Sequence, residues 1–267
     1  MIPVDLNCSA SGPDDAPVLL LGGSLGTTLD MWDPQVPALS QSRRVIRFEH
    51  RGHGGSPVPT GPYTIDELGA DVLTMLDRLD LPRVSYCGLS LGGMVGQWLA
   101  INAPERIERL VLLCTAAYLP PAEGWLERAA TVREAGSPAA VADAVLGRWF
   151  TPDYTVSHHD IVARYRDMFS GIDAEGYASC CEAIAAMDLR AGLSGITAPT
   201  LVVAGRQDPS IPPEHGEAIA AAVPGARLEI LDPAAHLASV ERADAVTALI
   251  AGHLEGVPAA AADGARS

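Results

Sequence analysis

Six short runs of apolar residues recur along the chain, at Val18–Leu21, Val45–Phe48, Val84–Cys87, Leu110–Cys114, Leu201–Ala204 and Leu228–Leu231. Most are continuously apolar rather than alternating, the pattern of strands buried on both faces of a parallel sheet. Amphipathic helical stretches lie between them. The clearest follows Val45–Phe48: Thr64 and Glu67 are spaced as a capping box, and Leu68, Val72, Met75, Leu76 and Leu79 then repeat along one helical face. This alternation predicts an α/β chain with a mainly parallel central sheet flanked by helices. Pro3–Cys8 is expected to add an antiparallel edge strand. The longest apolar run, Leu110 to Leu119, is far shorter than the roughly 20 residues that cross a membrane, and reads as a buried strand with its exit loop.

The alternation breaks between residues 119 and 193. That stretch is helical in pattern, shows no clear strand and carries Trp125 and Trp149. A helical insertion between two sheet strands reads as a lid over the carboxyl ends of the strands, where α/β sheets bind ligands. The expected division is therefore a first core part over 1–118, a lid over 119–193 and a second core part over 194–254. An Ala/Gly/Pro-rich flexible tail or linker follows over 255–267. A length of 267 residues suits one such domain.

Composition narrows the partners. A net charge of −15 argues against nucleic acid or an anionic membrane surface, which both call for basic patches. The five cysteines are odd in number and lack framework spacing, and Cys180 and Cys181 are adjacent, so a reduced, cytoplasmic protein is expected. The first residues show no basic-then-apolar pattern of a signal peptide.

The chemistry centres on Gly88-Leu89-Ser90-Leu91-Gly92, which lies between an apolar strand pattern and a helical one. In that context G-x-S-x-G forms a nucleophile elbow: a sharp turn exposes the serine Oγ above the sheet, and the glycines let strand and helix approach. A serine nucleophile needs a base and an acid to orient it. Asp208 follows Leu201–Ala204 and His236 follows Leu228–Leu231, so both fall in strand-exit loops in the order Ser, Asp, His. Asp232 is a rival acid, but it lies too near His236 and reads as a turn former. The oxyanion hole is expected to combine the N–H of Leu91 with that of Leu25, in the glycine-rich loop after Val18–Leu21. In the lid, Trp125 and Arg128 stand three apart on one helix face and suit a small, partly apolar anion; Arg148-Trp149 is a second candidate pair. His158-His159-Asp160 reads as a solvated face because adjacent side chains diverge, and no metal or cofactor is expected. His50-Arg51-Gly52-His53-Gly54 reads as a turn beside the site.

The chain resembles the 3-oxoadipate enol-lactonases, a family within the α/β-hydrolase fold. The likeness runs nearly to residue 254. It includes Ser24-Leu25-Gly26-Thr27, Met31-Trp32-Asp33-Pro34-Gln35, Arg51-Gly52-His53-Gly54 and Gly61-Pro62-Tyr63-Thr64-Ile65. In the lid it includes Arg148-Trp149-Phe150-Thr151-Pro152 and the stretch from Glu175 to Ile184. The elbow and triad belong to the whole superfamily, whereas the lid motifs and the Ser24–Gln35 segment are specific. The resemblance implies a triad of Ser90, Asp208 and His236 and a small lactone substrate. Related activities, a general carboxylesterase or a cofactor-free perhydrolase of the haloperoxidase type, share the elbow. A hydrolase-fold receptor that binds a lactone is a rival of another class. Gly23 stands where the family usually has asparagine. The family also includes fusions in which a carboxymuconolactone decarboxylase domain follows the hydrolase. The Ala-rich end reads as a linker toward such a domain or as a tail.

Overall fold

The computed structural model describes residues 2–256; Met1 and residues 257–267, which hold most of the expected tail, lie outside that range. Seven strands form one sheet in the order β1-β3-β2-β4-β5-β6-β7. They are β1 (Cys8–Ser11), β2 (Val18–Gly22), β3 (Arg44–Phe48), β4 (Val84–Leu89), β5 (Ile107–Leu113), β6 (Thr200–Gly205) and β7 (Arg227–Leu231). All six expected apolar runs fall in strands, and their pairings with one another are all parallel. The central β4 and β6 are buried along their whole length, which explains why their sequences do not alternate.

The edge strand departs from expectation. It is antiparallel, but it covers Cys8–Ser11 and pairs with β3, while residues 3–7 are not strand. Polar groups elsewhere claim the earlier backbone: the Val4 N–H donates to Asp71 Oδ1 at 2.8 Å and the Asn7 N–H to Ser56 Oγ at 2.9 Å. A run whose donors are bound to side chains off the sheet cannot continue a ladder.

The helices are α1 (Val36–Leu39), α2 (Ile65–Arg78), α3 (Leu91–Asn102), α4 (Ala122–Ala135), α5 (Ala142–Trp149), α6 (Pro152–Ser157), α7 (His159–Ser170), α8 (Ala174–Ala186), α9 (Pro213–Ala222), α10 (Ala238–Glu241) and α11 (Ala243–Leu254). The capping box of α2 is formed: the Glu67 N–H donates to Thr64 Oγ1 at 3.2 Å and the Thr64 N–H to Glu67 Oε2 at 3.0 Å. Such a cap stabilises its helix by about 1 kcal/mol. Helix α3 is buried over nearly all of its length and packs on β2, β4 and β5. The chain between β5 and β6 carries α4–α8 and, among the described residues, no strand. Its ends are drawn together by the Tyr118–Asp188 bridge and by the Leu189 N–H donating to Ala117 O at 2.8 Å. Within it α4 lies along α8, joined by Arg133, which pairs with both Glu175 and Glu182.

Candidate active site

Strand β4 ends at Leu89 and α3 begins at Leu91, so Ser90 alone makes the turn. Its backbone is left-handed, with φ 57° and ψ −114°. A non-glycine residue in such a conformation costs on the order of 1–3 kcal/mol, and the surroundings must hold it there. They do so through the Ser90 N–H on Leu113 O at 2.9 Å and the Thr115 hydroxyl on Ser90 O at 2.7 Å. Gly92 allows the close fit: a Cβ there would lie 2.2 Å from Gly22 O. The Gly92 N–H instead donates to Gly23 O at 3.0 Å, tying the start of α3 to the loop after β2.

Asp208 and His236 meet as the strand order requires, from loops after the paired strands β6 and β7. His236 Nδ1 lies 2.8 Å from Asp208 Oδ2, with both side chains buried. The other carboxylate oxygen accepts the N–H groups of Ser210 at 2.8 Å and Ile211 at 3.0 Å, so Asp208 is fixed at both ends. An ionised carboxylate only accepts, so the proton of the neutral imidazole sits on Nδ1 and Nε2 is left as the basic nitrogen. The histidine loop is further held by the Gln207 N–H on Ala234 O at 2.9 Å.

The loop at residues 22–28 presents its backbone beside Ser90. Its Ser24 N–H faces Met31 Sδ, its Gly26 N–H donates to His53 Nε2 at 2.9 Å and its Thr27 N–H donates to Ser24 O at 3.2 Å. Leu25 lies between them, and its N–H has no acceptor among the described residues. The Leu91 N–H stands at the first position of α3, where a helix offers no internal acceptor. The turn at residues 50–54 braces this loop from behind, because His50 Nε2 also reaches Gly23 O at 3.1 Å. Burial pushes the His53 imidazole down to about 4; burial and the neighbouring His53 push His50 to about 3, so both stay neutral. A Cβ at Gly23 would lie 2.8 Å from Thr27 Oγ1, so the Thr27 hydroxyl stands against the space that a side chain at position 23 would enter.

These groups open on a narrow cavity lined by Ser24, Leu25, Ser90, Ser210, Ile211 and His236 from the core and by Trp125, Arg128, Val145, Arg148, Trp149 and Tyr177 from the insertion. All four insertion residues expected at the site, Trp125, Arg128, Arg148 and Trp149, are therefore on its wall. The Arg128 guanidinium lies over the Trp125 indole, 4.6 Å from the ring centroid, and close to the buried Tyr177. Trp149 also belongs to the packing of the insertion, edge-on to Phe169 at 5.5 Å and Tyr165 at 6.5 Å. Neither Arg128 nor Arg148 forms an ion pair among the described residues. The spacing arguments did not single out Ser24, Tyr177, Ser210 or Ile211. Ser210 and Ile211 lie two and three residues beyond Asp208, a signal that loop position alone carries; Tyr177 is 52 residues from Trp125 in sequence, and only the α4–α8 packing unites them.

Away from the cavity, His158 stacks on Tyr154 at 4.1 Å and His159 faces Asp160 on the surface. Among the described residues no group of three or more His, Cys, Asp or Glu side chains is placed to hold a metal ion. The five cysteines are free, with the Cys180 and Cys181 thiols pushed up by burial. No helix among the described residues is long and apolar enough to cross a membrane.

The mainly parallel sheet flanked by helices agrees with the comparisons. The profile of the alpha/beta hydrolase fold matches residues 16–243. This protein belongs to the α/β-hydrolase fold family. Within the family it is similar to the 3-oxoadipate enol-lactonase 2 of Acinetobacter baylyi, with 42% identity covering 91% of this chain and 90% of the relative. The 3-oxoadipate enol-lactonase 1 of the same organism is 32% identical, with 94% of each chain covered. The crystal structure of the enol-lactonase from Burkholderia xenovorans LB400 superposes on this α/β hydrolase with a TM-score of 0.92 and 46% identity, covering 94% of this chain and 97% of that one. The resemblance read from segment 24–35 and the insertion motifs is thus borne out.

Proposed function

We propose that this α/β hydrolase opens a small enol-lactone bearing a carboxylate arm, with 3-oxoadipate enol-lactone as substrate and 3-oxoadipate as product. The observation that carries this reading is the meeting, in one cavity, of Ser90 and His236 with two arginines that have no carboxylate partner among the described residues. Similarity to two enzymes named 3-oxoadipate enol-lactonase supports the particular lactone. Ser90 Oγ attacks the lactone carbonyl while His236 Nε2 takes its proton and Asp208 steadies the imidazolium through Nδ1. The N–H groups of Leu25 and Leu91 hold the oxyanion. Collapse breaks the ring C–O bond and releases an enolate. This leaving group needs little acid assistance; the proton that His236 took from Ser90 passes, directly or through water, to the enolate carbon, which gives the ketone and returns the imidazole to its neutral form. Water, activated by His236, then cleaves the acyl-enzyme and frees Ser90 and a second carboxylate. Helices α4–α8 serve as the lid, with Arg128 pairing the substrate carboxylate and the Trp125 and Trp149 indoles walling the apolar part.

The test is to add 3-oxoadipate enol-lactone to the purified protein and follow the loss of enol-lactone absorbance. Many turnovers per protein, absent in Ser90→Ala, are expected without any partner protein. Slow or absent turnover of the lactone alongside rapid hydrolysis of neutral esters would replace the proposal with a general carboxylesterase. Stoichiometric binding without turnover would leave a lactone receptor.

A further inference from the structure

We propose that Glu241 is a positioning residue that couples the helical insertion to the His236 loop, so that the seating of α5 and α6 sets the placement of the imidazole. The proposal rests on the triad reading above.

The residues on either side of His236 are both tied to the insertion. On one side the Ala235 N–H donates to Glu241 Oε2 at 2.9 Å. The same carboxylate accepts the Thr151 hydroxyl on its other oxygen and lies 3.4 Å from the Thr151 N–H. On the other side the Leu237 N–H donates to Trp149 O at 2.9 Å. Thr151 is the N-cap of α6, and Trp149 closes α5 while its side chain lines the cavity. Both anchors therefore fall within three residues, at the junction of the two helices. The opposite side of the loop is held by the core, through the Gln207 N–H on Ala234 O and Arg242 on Pro233 O. Core bonds fix where the loop begins. Insertion bonds flank the histidine itself.

A carboxylate suits this position because it accepts donors on both oxygens, and bonds to a charged acceptor are about twice as strong as neutral ones. A ligand seated against Arg148 or Trp149 loads α5, whose last carbonyl and the nearby Thr151 bear on the backbone around His236. Misplacement of a catalytic group by about 1 Å can cost roughly 100-fold in rate. The linkage thus makes turnover depend on how the insertion sits.

The experiment compares Glu241→Gln, Thr151→Val and the double variant in the full chain, with Thr151→Ser as the conservative control. Each is assayed with p-nitrophenyl acetate and with the enol-lactone. Thr151→Val keeps the Ala235–Glu241 bond and removes the hydroxyl's bond to Glu241 together with its cap on the Tyr154 N–H, both of which Thr151→Ser retains. The expected result is a fall in kcat of about 10-fold or more in each single variant with KM within about 2-fold, the mark of a lost transition-state alignment. The double variant is expected to be no slower than Glu241→Gln, because both changes cut one linkage, and Thr151→Ser to restore the rate. Unchanged kcat in a folded Thr151→Val, or additive losses in the double variant, would overturn the coupling. Ser90→Ala separates the two readings: residual turnover in that variant would remove the triad itself, whereas an inert Ser90→Ala beside a fully active Thr151→Val would remove only the coupling.

Discussion

The strand-exit loops and the helical insertion face one cavity, but they hold their side chains by different means. In the core, backbone geometry does the placing. Ser90 is held in its strained turn by two hydrogen bonds, and Asp208 is gripped by two N–H groups as well as by His236. In the insertion, side chains place one another: Arg128 over Trp125, Trp149 against Phe169 and Tyr165, Arg133 between two glutamates. A backbone-held site tolerates little movement and suits bond making. A wall built from side-chain contacts can be re-cut for another substrate without disturbing the chemistry. Under the proposed function, the core then supplies the reaction type and the insertion the choice of substrate.

The largest expected effects test the core. Ser90→Ala should lower kcat by roughly 10⁴-fold or more with the fold intact, as judged by an unchanged thermal transition. Asp208→Asn should approach the same loss, about 10³- to 10⁴-fold, because an amide can turn the imidazole to the wrong tautomer. A mild loss in either variant would break the assignment of chemistry to the core loops.

The next effect is on stability and separates the two regions by pH. His50 and His53 brace the core loop at residues 22–28, and their pKa values lie below the ordinary 6.5, at about 3 and about 4. The unfolded chain then takes up protons first as pH falls, so stability is fully present above 6.5 and declines below it. Between pH 7.5 and 5.5 the loss should be about 2–3 kcal/mol, measured by denaturant unfolding. His53→Gln should flatten that slope; an equal slope would mean that the buried imidazoles are not its source.

Effects in the insertion are smaller. Arg128→Ala should raise KM for the anionic lactone by roughly 10- to 100-fold, the range of a lost charge-assisted hydrogen bond, and leave a neutral ester nearly unaffected. Smallest of all, Arg133→Met should cost about 1 kcal/mol or less, because its ion pairs are partly exposed. Glu175 is lowered to about 2, first by its hydrogen bonds with Arg133, so this contribution is present above its ordinary value near 4.5 and is lost as pH falls toward 2. Thermal unfolding of the variant at pH 7 and pH 3 should show the difference shrinking.

The same division explains what the chain disclosed as sequence. Strands buried on both faces leave uninterrupted apolar runs, and the residues proposed to carry the chemistry, Ser90, Asp208 and His236, lie just past their ends, where counting from the strands reaches them. The edge strand was misplaced because its start is decided by Asp71 and Ser56, which are remote in sequence. In the insertion, helical spacing paired Trp125 with Arg128 on one helix. It could not reveal that Tyr177 of α8 closes behind them, or that Glu241 reaches Thr151 across 90 residues. Contacts between elements without a shared ladder leave no period to read.

The most direct test of the central claim sets the enol-lactone against a neutral ester of similar acyl size, with the same purified protein. If the core supplies the reaction and the insertion selects an anion, kcat/KM should favour the enol-lactone by about 100-fold or more, and Arg128→Ala should erase most of that preference. Equal kcat/KM for the two substrates, or a preference that survives Arg128→Ala unchanged, would contradict it.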